Sequence, residues 1–323
     1  MLTNNTNIPL SLAVWLAFDT YVHSSDPKTI SATGLLKPLR SIILERKIPI
    51  STDADISDVI QSRLGTSVHT SIERAWTNNY KIAMKSLGYP DTVIQDIVLN
   101  PPSYKTLQPT QIPVYMEKRS YRKLHDWTIS GQFDFVVNGA LEDFKTTGTY
   151  NYIKQGNTEK YKLQGSIYRW LNPEIITNDH MSIAYLFTDW SAIKAKSEKD
   201  YPGSRIMSQK ILLLSFSETE NFISNKLSQI ELGLITPQEH LPRCTKEELW
   251  QQDAVWKYYK NPDKRTRSTK NFDNSAAAYA YMATNGNVGI IIEVPGEVKF
   301  CNYCNAKSIC TQAEDLKLAG LLK

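Results

Sequence analysis

Between Thr128 and Thr147 the chain reads TISGQFDFVVNGALEDFKTT, with apolar and polar residues alternating on both sides of Asn138-Gly139. A period of two predicts a pair of strands with one face buried. Asn-Gly suits a two-residue reversal because both turn positions take positive φ. The register follows from that turn: Asp134 lies across from Asp143, and Gln132 across from Lys145. These four side chains then share one face, while Phe133, Phe135, Val137 and Phe144 share the other and pack on the core.

Helical periodicity dominates the flanking segments. In Glu159–Leu171, the residues Leu163, Ile167 and Leu171 recur every fourth position as an apolar stripe, and Gln164 and Tyr168 line the strip beside it. Asp55–Trp76 turns Val59, Leu64, Val68, Ile72 and Trp76 towards the core and carries His69 four residues after Gly65. Leu10–Lys47 predicts two helices around Asp26-Pro27 and Thr33-Gly34, the second over Leu35–Lys47 with Lys37, Arg40, Arg46 and Lys47 on it. Downstream the pattern predicts strands over Ser182–Phe187 and Gln209–Phe216 and a capped helix from Ser217 towards Gly233. Helices around Trp250–Lys260 and Ser275–Thr284 and a strand over Val288–Val294 follow. The result is a mixed α/β chain with a central sheet flanked by helices. Its expected parts are a helical N-terminal lobe (residues 1–54), a core (55–235) and a cysteine-bearing C-terminal lobe (236–323).

Two aspartates directly opposed on neighbouring strands would have Cβ atoms about 4.5–5.5 Å apart and would repel. A divalent cation between them converts repulsion into coordination, and oxygen ligands favour Mg²⁺ or Mn²⁺. Lys145 would hold its ammonium beside that ion, placed to orient water or to offset charge on a phosphate. The plain alternative is an exposed hairpin of mixed charge.

Asp134 followed by Asp143-Phe144-Lys145 resembles the signature of the PD-(D/E)XK nucleases. Gly131-x-x-Asp134, Gln164-x-x-x-Tyr168 and Gly65-x-x-x-His69 resemble its RecB-like branch, which includes AddB-like nuclease domains and CRISPR-associated iron–sulfur exonucleases. The ordered set spans Leu64 to Leu171, about a third of the chain. The resemblance implies a restriction-endonuclease-like core in which His69, Asp134, Asp143 and the backbone carbonyl of Phe144 bind the metal. Lys145 would assist the attacking water, and Gln164 and Tyr168 would position the lysine or the substrate strand. Glu117, in the strand-like VYME, is a further acidic candidate. The implied activity is metal-dependent hydrolysis of DNA phosphodiesters, as an exonuclease on single strands or DNA ends in recombination or replication. A non-catalytic DNA-binding accessory protein and a structure-selective endonuclease remain the alternatives.

The four cysteines, Cys244, Cys301, Cys304 and Cys310, all fall in the last quarter of the chain. In a reducing compartment such clustering suggests metal binding over disulfides. Three closely spaced cysteines and one remote one resemble the iron–sulfur arrangement of the same branch, which implies a four-iron, four-sulfur (4Fe–4S) cluster. In that branch the remote cysteine precedes the nuclease motifs, whereas Cys244 follows them, so a structural Zn²⁺ site stays open. Thr245 and Glu248 form a capping box, which predicts a helix start just after Cys244.

At 323 residues and 41% hydrophobic content, the chain can bury a sizeable core. A net charge of +4 is only mildly basic, so DNA contact rests on two local runs. KRSYRK (Lys118–Lys123) is expected at a strand turn, and KYYKNPDKRTRSTK (Lys257–Lys270) mixes basic residues with tyrosines. Both suit phosphates and stacked bases, and both also read as solvated loops. No glycine is followed by lysine, which excludes a P-loop of the G-K-[ST] kind. A helicase or annealing partner would therefore be a separate protein. That compact layout resembles stand-alone nucleases of tailed bacteriophages. The apolar run Ile8–Phe18 lacks a positively charged start and is too short to span a bilayer. The expected compartment is the cytoplasm, that of the host cell if the protein is viral, with no membrane partner.

Overall fold

The computed structural model describes residues 2–18, 24–48 and 54–322. The chain forms two compact units, one of Met1–Leu36 with Thr52–Ser228 and one of Lys37–Ser51 with Gln229–Lys323. Lys37–Ser51, expected in an N-terminal lobe, thus groups with the C-terminal residues.

The first unit is organised by a seven-stranded mixed sheet. Its strands are β1 (Thr29–Ser31), β2 (Ile97–Leu99), β3 (Ile112–Leu124), β4 (Trp127–Val137), β5 (Ala140–Thr147), β6 (His180–Phe187) and β7 (Ile206–Leu212). They lie in the order β2-β3-β4-β5-β6-β7, with β1 pairing additionally with β4. The β4–β5 reversal is the expected one: Asn138 and Gly139 take φ of 46° and 81°, and Val137 pairs with Ala140, Val136 with Leu141 and Phe135 with Glu142. A β-carbon on Gly139 would lie 2.1 Å from Thr177 Oγ1, so the position needs glycine for room as well as for φ. β5 and β6 are parallel, which requires a crossover, supplied by the helix Thr158–Leu171. Ile129, Phe133, Val136, Ile167 and Ile183 are fully buried in this unit.

The helix Ile60–Ser86 buries no residue completely, and Leu64, expected in the core, is exposed at 38%. Only part of its length packs closely: Trp76, Tyr80 and Met84 cover a cluster of Ile97, Val114, Met116 and Phe135, joined by Val137 and Phe144. The Trp76 and Phe135 rings lie 5.1 Å apart. Phe135, Val137 and Phe144 therefore share the expected apolar face, whereas Phe133 is buried outside that cluster.

Several other elements differ from the pattern-based expectation. Leu35–Lys47 is not one helix but two, Ala32–Leu35 and Leu39–Glu45. Pro38 stands between them, lacks a donor and keeps the preceding residue out of helical geometry. Lys118–Lys123 lies within β3, not at a turn. β7 ends at Leu212, short of the expected Phe216, because Ser215 and Glu218 exchange hydrogen bonds that start the helix Phe216–Ile235.

The second unit contains a three-stranded antiparallel sheet in which Val255–Tyr259 is flanked by Lys270–Phe272 and Ile290–Val294. The helix expected around Trp250–Lys260 is thus a strand over Val255–Tyr259. Its aromatic and β-branched residues fit a half-buried pleat, and Trp256, Lys257 and Tyr258 each find antiparallel partners on both sides. The helix Ser275–Thr284 forms as expected. The Thr245–Glu248 box also forms, with both reciprocal bonds made, but the chain after it makes only turns. Cys244 therefore does not precede a helix. Among the described residues no helix is long and apolar enough to cross a membrane.

Candidate functional site: an acidic notch and a cysteine cavity

One edge of β4 is shared by two strands. β1 pairs with Thr128–Ser130 and β5 with Phe135–Val137, so among the described residues no strand lies beside Gly131–Asp134 on that edge. On the other edge the ladder with β3 skips a single pair, Glu117 opposite Asp134. Glu117 takes φ of 46° there, a conformation that costs a non-glycine residue about 1–2 kcal/mol. Asp134 Oδ2 accepts the Phe144 N–H at 2.8 Å. That bond takes the place of the next rung between β4 and β5, and β5 continues instead along β6 as far as Thr147. The notch thus opens where two carboxylates meet the end of a ladder.

His69, from the helix Ile60–Ser86, reaches into this notch. Its Nδ1 lies 3.4 Å from Glu117 Oε1 and 3.5 Å from Asp134 Oδ1, and its Nε2 is 3.3 Å from the Phe144 carbonyl oxygen. One donor atom each from His69, Glu117 and Asp134 falls within 4.8 Å of the others. Asp143, expected among the ligands, lies outside that trio. Its carboxylate is buried and contacts the Lys145 ammonium, while its Oδ1 has no hydrogen-bond partner among the described residues. A buried carboxylate oxygen left unpaired is costly, and a hard cation is one partner that would satisfy it. Carboxylate oxygens with one imidazole are a donor set that fits Mg²⁺ or Mn²⁺.

The charges in the notch are strongly linked. Burial, then the charge of Asp143, pushes Asp134 up to about 7, against the opposing pull of His69 and Lys145. Burial depresses His69, but its bond to Glu117 and the charges of Asp134, Glu117 and Asp143 outweigh this and leave it above its ordinary value. Lys145 behaves alike: burial draws it down, and Asp143 and Asp134 more than reverse the effect.

Gln164 and Tyr168 come together as the helical spacing implies. Gln164 Nε2 donates to Tyr168 Oη at 2.8 Å, and both are buried. Burial, then the charges of Asp143 and Asp134, holds the Tyr168 phenol well above its usual range, so it stays a hydrogen-bond donor. Gly131 is required by this packing, because a β-carbon there would lie 2.7 Å from Leu171 and 3.0 Å from Tyr168. Gly65 meets no neighbour, so packing does not explain the glycine of Gly65-x-x-x-His69. Gln132 faces Glu117 and Arg119, not Lys145 as the extended hairpin register implied. Tyr161, which the pattern did not single out, lies with its ring 5.4 Å from the Lys145 ammonium.

In the second unit all four cysteines line one cavity, together with Arg40, Ser41, Lys307 and Gln312. Gln312 clamps Cys244 through both its backbone N–H (2.8 Å) and its carbonyl (2.9 Å). Ser41 Oγ lies 3.4 Å from Cys304 Sγ. Burial, then the charge of Glu248 and the other sulfurs, pushes the Cys244 thiol up to about 12, and burial with Cys304 and Cys310 pushes the Cys301 thiol up to about 11. Unligated, these groups are thiols. Arg40 and Gln312 had no signal of this role in the sequence.

No family model and no curated protein matches this chain. Among solved structures, the crystal structure of SSO0001 shares 16% identity, covering 64% of this chain and 78% of its own, with a TM-score of 0.40. The crystal structure of a phage-related exonuclease from Haemophilus somnus 129PT shares 15% identity over 38% of this chain and 60% of its own, with a TM-score of 0.26. The chain is a mixed α/β protein built on a central sheet flanked by helices.

Proposed function

We propose that the first unit is a metal-dependent deoxyribonuclease of the PD-(D/E)XK, RecB-like type, acting as an exonuclease on single strands or DNA ends. The observation that carries this reading is the row of Glu117, Asp134 and Asp143 on three adjacent strands, with His69 above it and Lys145 beside it. A structural role would not gather three carboxylates and leave one buried oxygen unpaired. His69, Glu117 and Asp134 would hold a Mg²⁺ or Mn²⁺ ion, with Asp143 and the Phe144 carbonyl next to it. When bound, such an ion supplies an acidified water and polarises the phosphoryl oxygen. Lys145, fixed against Asp143, presents a positive charge to the phosphate as negative charge develops. The Tyr168 hydroxyl accepts from Gln164 and keeps its own proton for a neighbour.

The second unit, in the same reading, holds a metal centre ligated by Cys244, Cys301, Cys304 and Cys310. Among the described residues no three cysteine sulfurs lie within 4.8 Å of one another. Four thiolates suffice for a 4Fe–4S cluster, the centre proposed, with a structural Zn²⁺ as the alternative.

The test is cleavage of end-labelled single- and double-stranded DNA with Mn²⁺ by anaerobically purified protein, with calorimetry of Mn²⁺ binding. Degradation from ends and a binding site abolished by Asp134→Ala are expected. Mn²⁺ binding without cleavage would favour an accessory DNA-binding protein, and no Mn²⁺ site would remove the proposal.

A further inference from the structure

Arg40 is among the most deeply buried charged residues of the second unit, at 3% exposure. It comes from the helix Leu39–Glu45. Each of its five N–H groups has an acceptor. Nε points at Cys310 Sγ (3.4 Å), Nη1 at the Gln238 and Leu241 carbonyls (3.2 and 3.1 Å), and Nη2 at Gln238 Oε1 and Thr311 Oγ1 (3.2 and 2.8 Å). Hydrogen bonding is thus complete, but charge is not. Every one of these acceptors is neutral unless Cys310 is a thiolate, and among the described residues no carboxylate lies within ion-pair reach of Arg40. A guanidinium buried without a counter-charge is strongly unfavourable. Four thiolates gathered around a metal carry excess negative charge in the same cavity, which Arg40 lines.

We propose that Arg40 is the counter-ion and positioning residue of the cysteine centre, orienting Cys310 and neutralising part of the charge of its ligands. Lys37–Ser51, which groups with the C-terminal residues, thus delivers a buried positive charge to the centre, beside the Lys307 that also lines the cavity. The N–H···S bond becomes charge-assisted once Cys310 is ligated. Gln238 Oε1, which also accepts the Thr311 N–H at 2.9 Å, fixes the guanidinium and the residue after Cys310 to the same atom. The inference rests on the reading of the four cysteines as metal ligands.

Arg40→Gln keeps donors but removes charge, and Arg40→Lys keeps charge but changes shape. Metal content after anaerobic purification, chelator competition and melting of loaded and stripped protein are measured for both variants and wild type. Arg40→Gln should weaken metal retention about 10–100-fold, the range for lost outer-shell partners, while Arg40→Lys stays close to wild type. Loaded Arg40→Gln should melt lower than loaded wild type, whereas stripped Arg40→Gln should melt no lower than stripped wild type. Equal destabilisation of loaded and stripped forms would mean a packing role only and overturn the proposal, as would unchanged metal retention in Arg40→Gln. Wild type purified without iron or zinc would overturn the cysteine-centre reading itself. Should Arg40→Gln fail to accumulate, hydrogen exchange in wild type decides: stripping the metal should deprotect residues 39–45, and unchanged protection would refute the role.

Discussion

The acidic notch and the cysteine cavity are both donor clusters, but they are built on opposite plans. Glu117, Asp134 and Asp143 sit on three neighbouring strands; the β3–β4 ladder continues on either side of Glu117 and Asp134, and Asp143 lies within the β5–β6 ladder. Cys301, Cys304 and Cys310 sit in or beside two short helical turns, Phe300–Tyr303 and Asn305–Ile309, and Cys244 precedes irregular chain. The core around Cys301 is small, made of Leu249, Val298, Ala313 and Leu322. The sheet holds its carboxylates together against their own repulsion, so that site exists before any ion arrives. The sulfur site has no comparable framework, and ligation there is expected to supply folding energy.

The sharpest way to break this contrast is to neutralise the notch. Asp134→Asn and Asp143→Asn should each lower the proposed DNA cleavage by about 10³-fold or more, in line with losing a main electrostatic group. Asp134→Asn should not lower the melting temperature, because it relieves repulsion, whereas Asp143→Asn takes the partner from the buried Lys145 ammonium and should lower it. A variant that cleaves like wild type, or an Asp134→Asn variant that unfolds, would show the carboxylates to be structural. Next in size is removal of the metal proposed for the cysteine centre. By linkage, a site filled at a hundred times its Kd contributes about 2.7 kcal/mol. Calorimetry of the stripped protein should show the second unit melting early and the first unchanged. A single unshifted transition would place the sulfur site on the same preformed footing as the notch.

pH sharpens the comparison further. The folded value of Asp134, about 7, stands above its ordinary 3.8, so folding favours its protonated form. That contribution is complete below pH 3.8 and is lost as pH rises through about 7; His69, also raised, acts with the same sign. Ion-free protein should therefore lose melting temperature between about pH 4 and 7, and Mn²⁺ should stabilise it more at pH 8 than at pH 5. A flat ion-free profile would contradict the burial and repulsion described here. The smallest effect is at Glu117. Asparagine tolerates positive φ better, so Glu117→Asn should raise stability by up to about 1 kcal/mol while weakening Mn²⁺ affinity in the same calorimetric titration.

How far the sequence revealed these sites follows from the range of the interactions. The β4–β5 reversal was legible because Asn138-Gly139 and two-residue alternation are local signals. Its register held as far as Phe135–Glu142 and no further, because Asp134 replaced a backbone rung with its own side chain, which alternation cannot express. Glu117 is visible as an acid in a strand, but its place opposite Asp134 depends on a long β3–β4 ladder. Val255–Tyr259 was read as helix because its residues carry no strict alternation, and its strand character comes from two partners distant in sequence. The break at Pro38 is a local signal, since proline lacks a donor and restricts the residue before it. Arg40 was seen only as one basic residue on a helix; its contact with Cys310 joins opposite ends of the chain and leaves no periodic trace.

β5 leaves β4 after Glu142 and runs on beside β6, so Asp134 stands on one branch of the sheet, and Asp143 and Lys145 stand on the other. The Asn138-Gly139 reversal is then a pivot, pinned by the N–H groups of Thr177 and Asn178 on the Gly139 carbonyl oxygen. The bite between the two aspartates is set by that pivot in the manner of pliers. Loosening the pin at Thr177 would change the spacing of Asp134 and Asp143 without altering either residue.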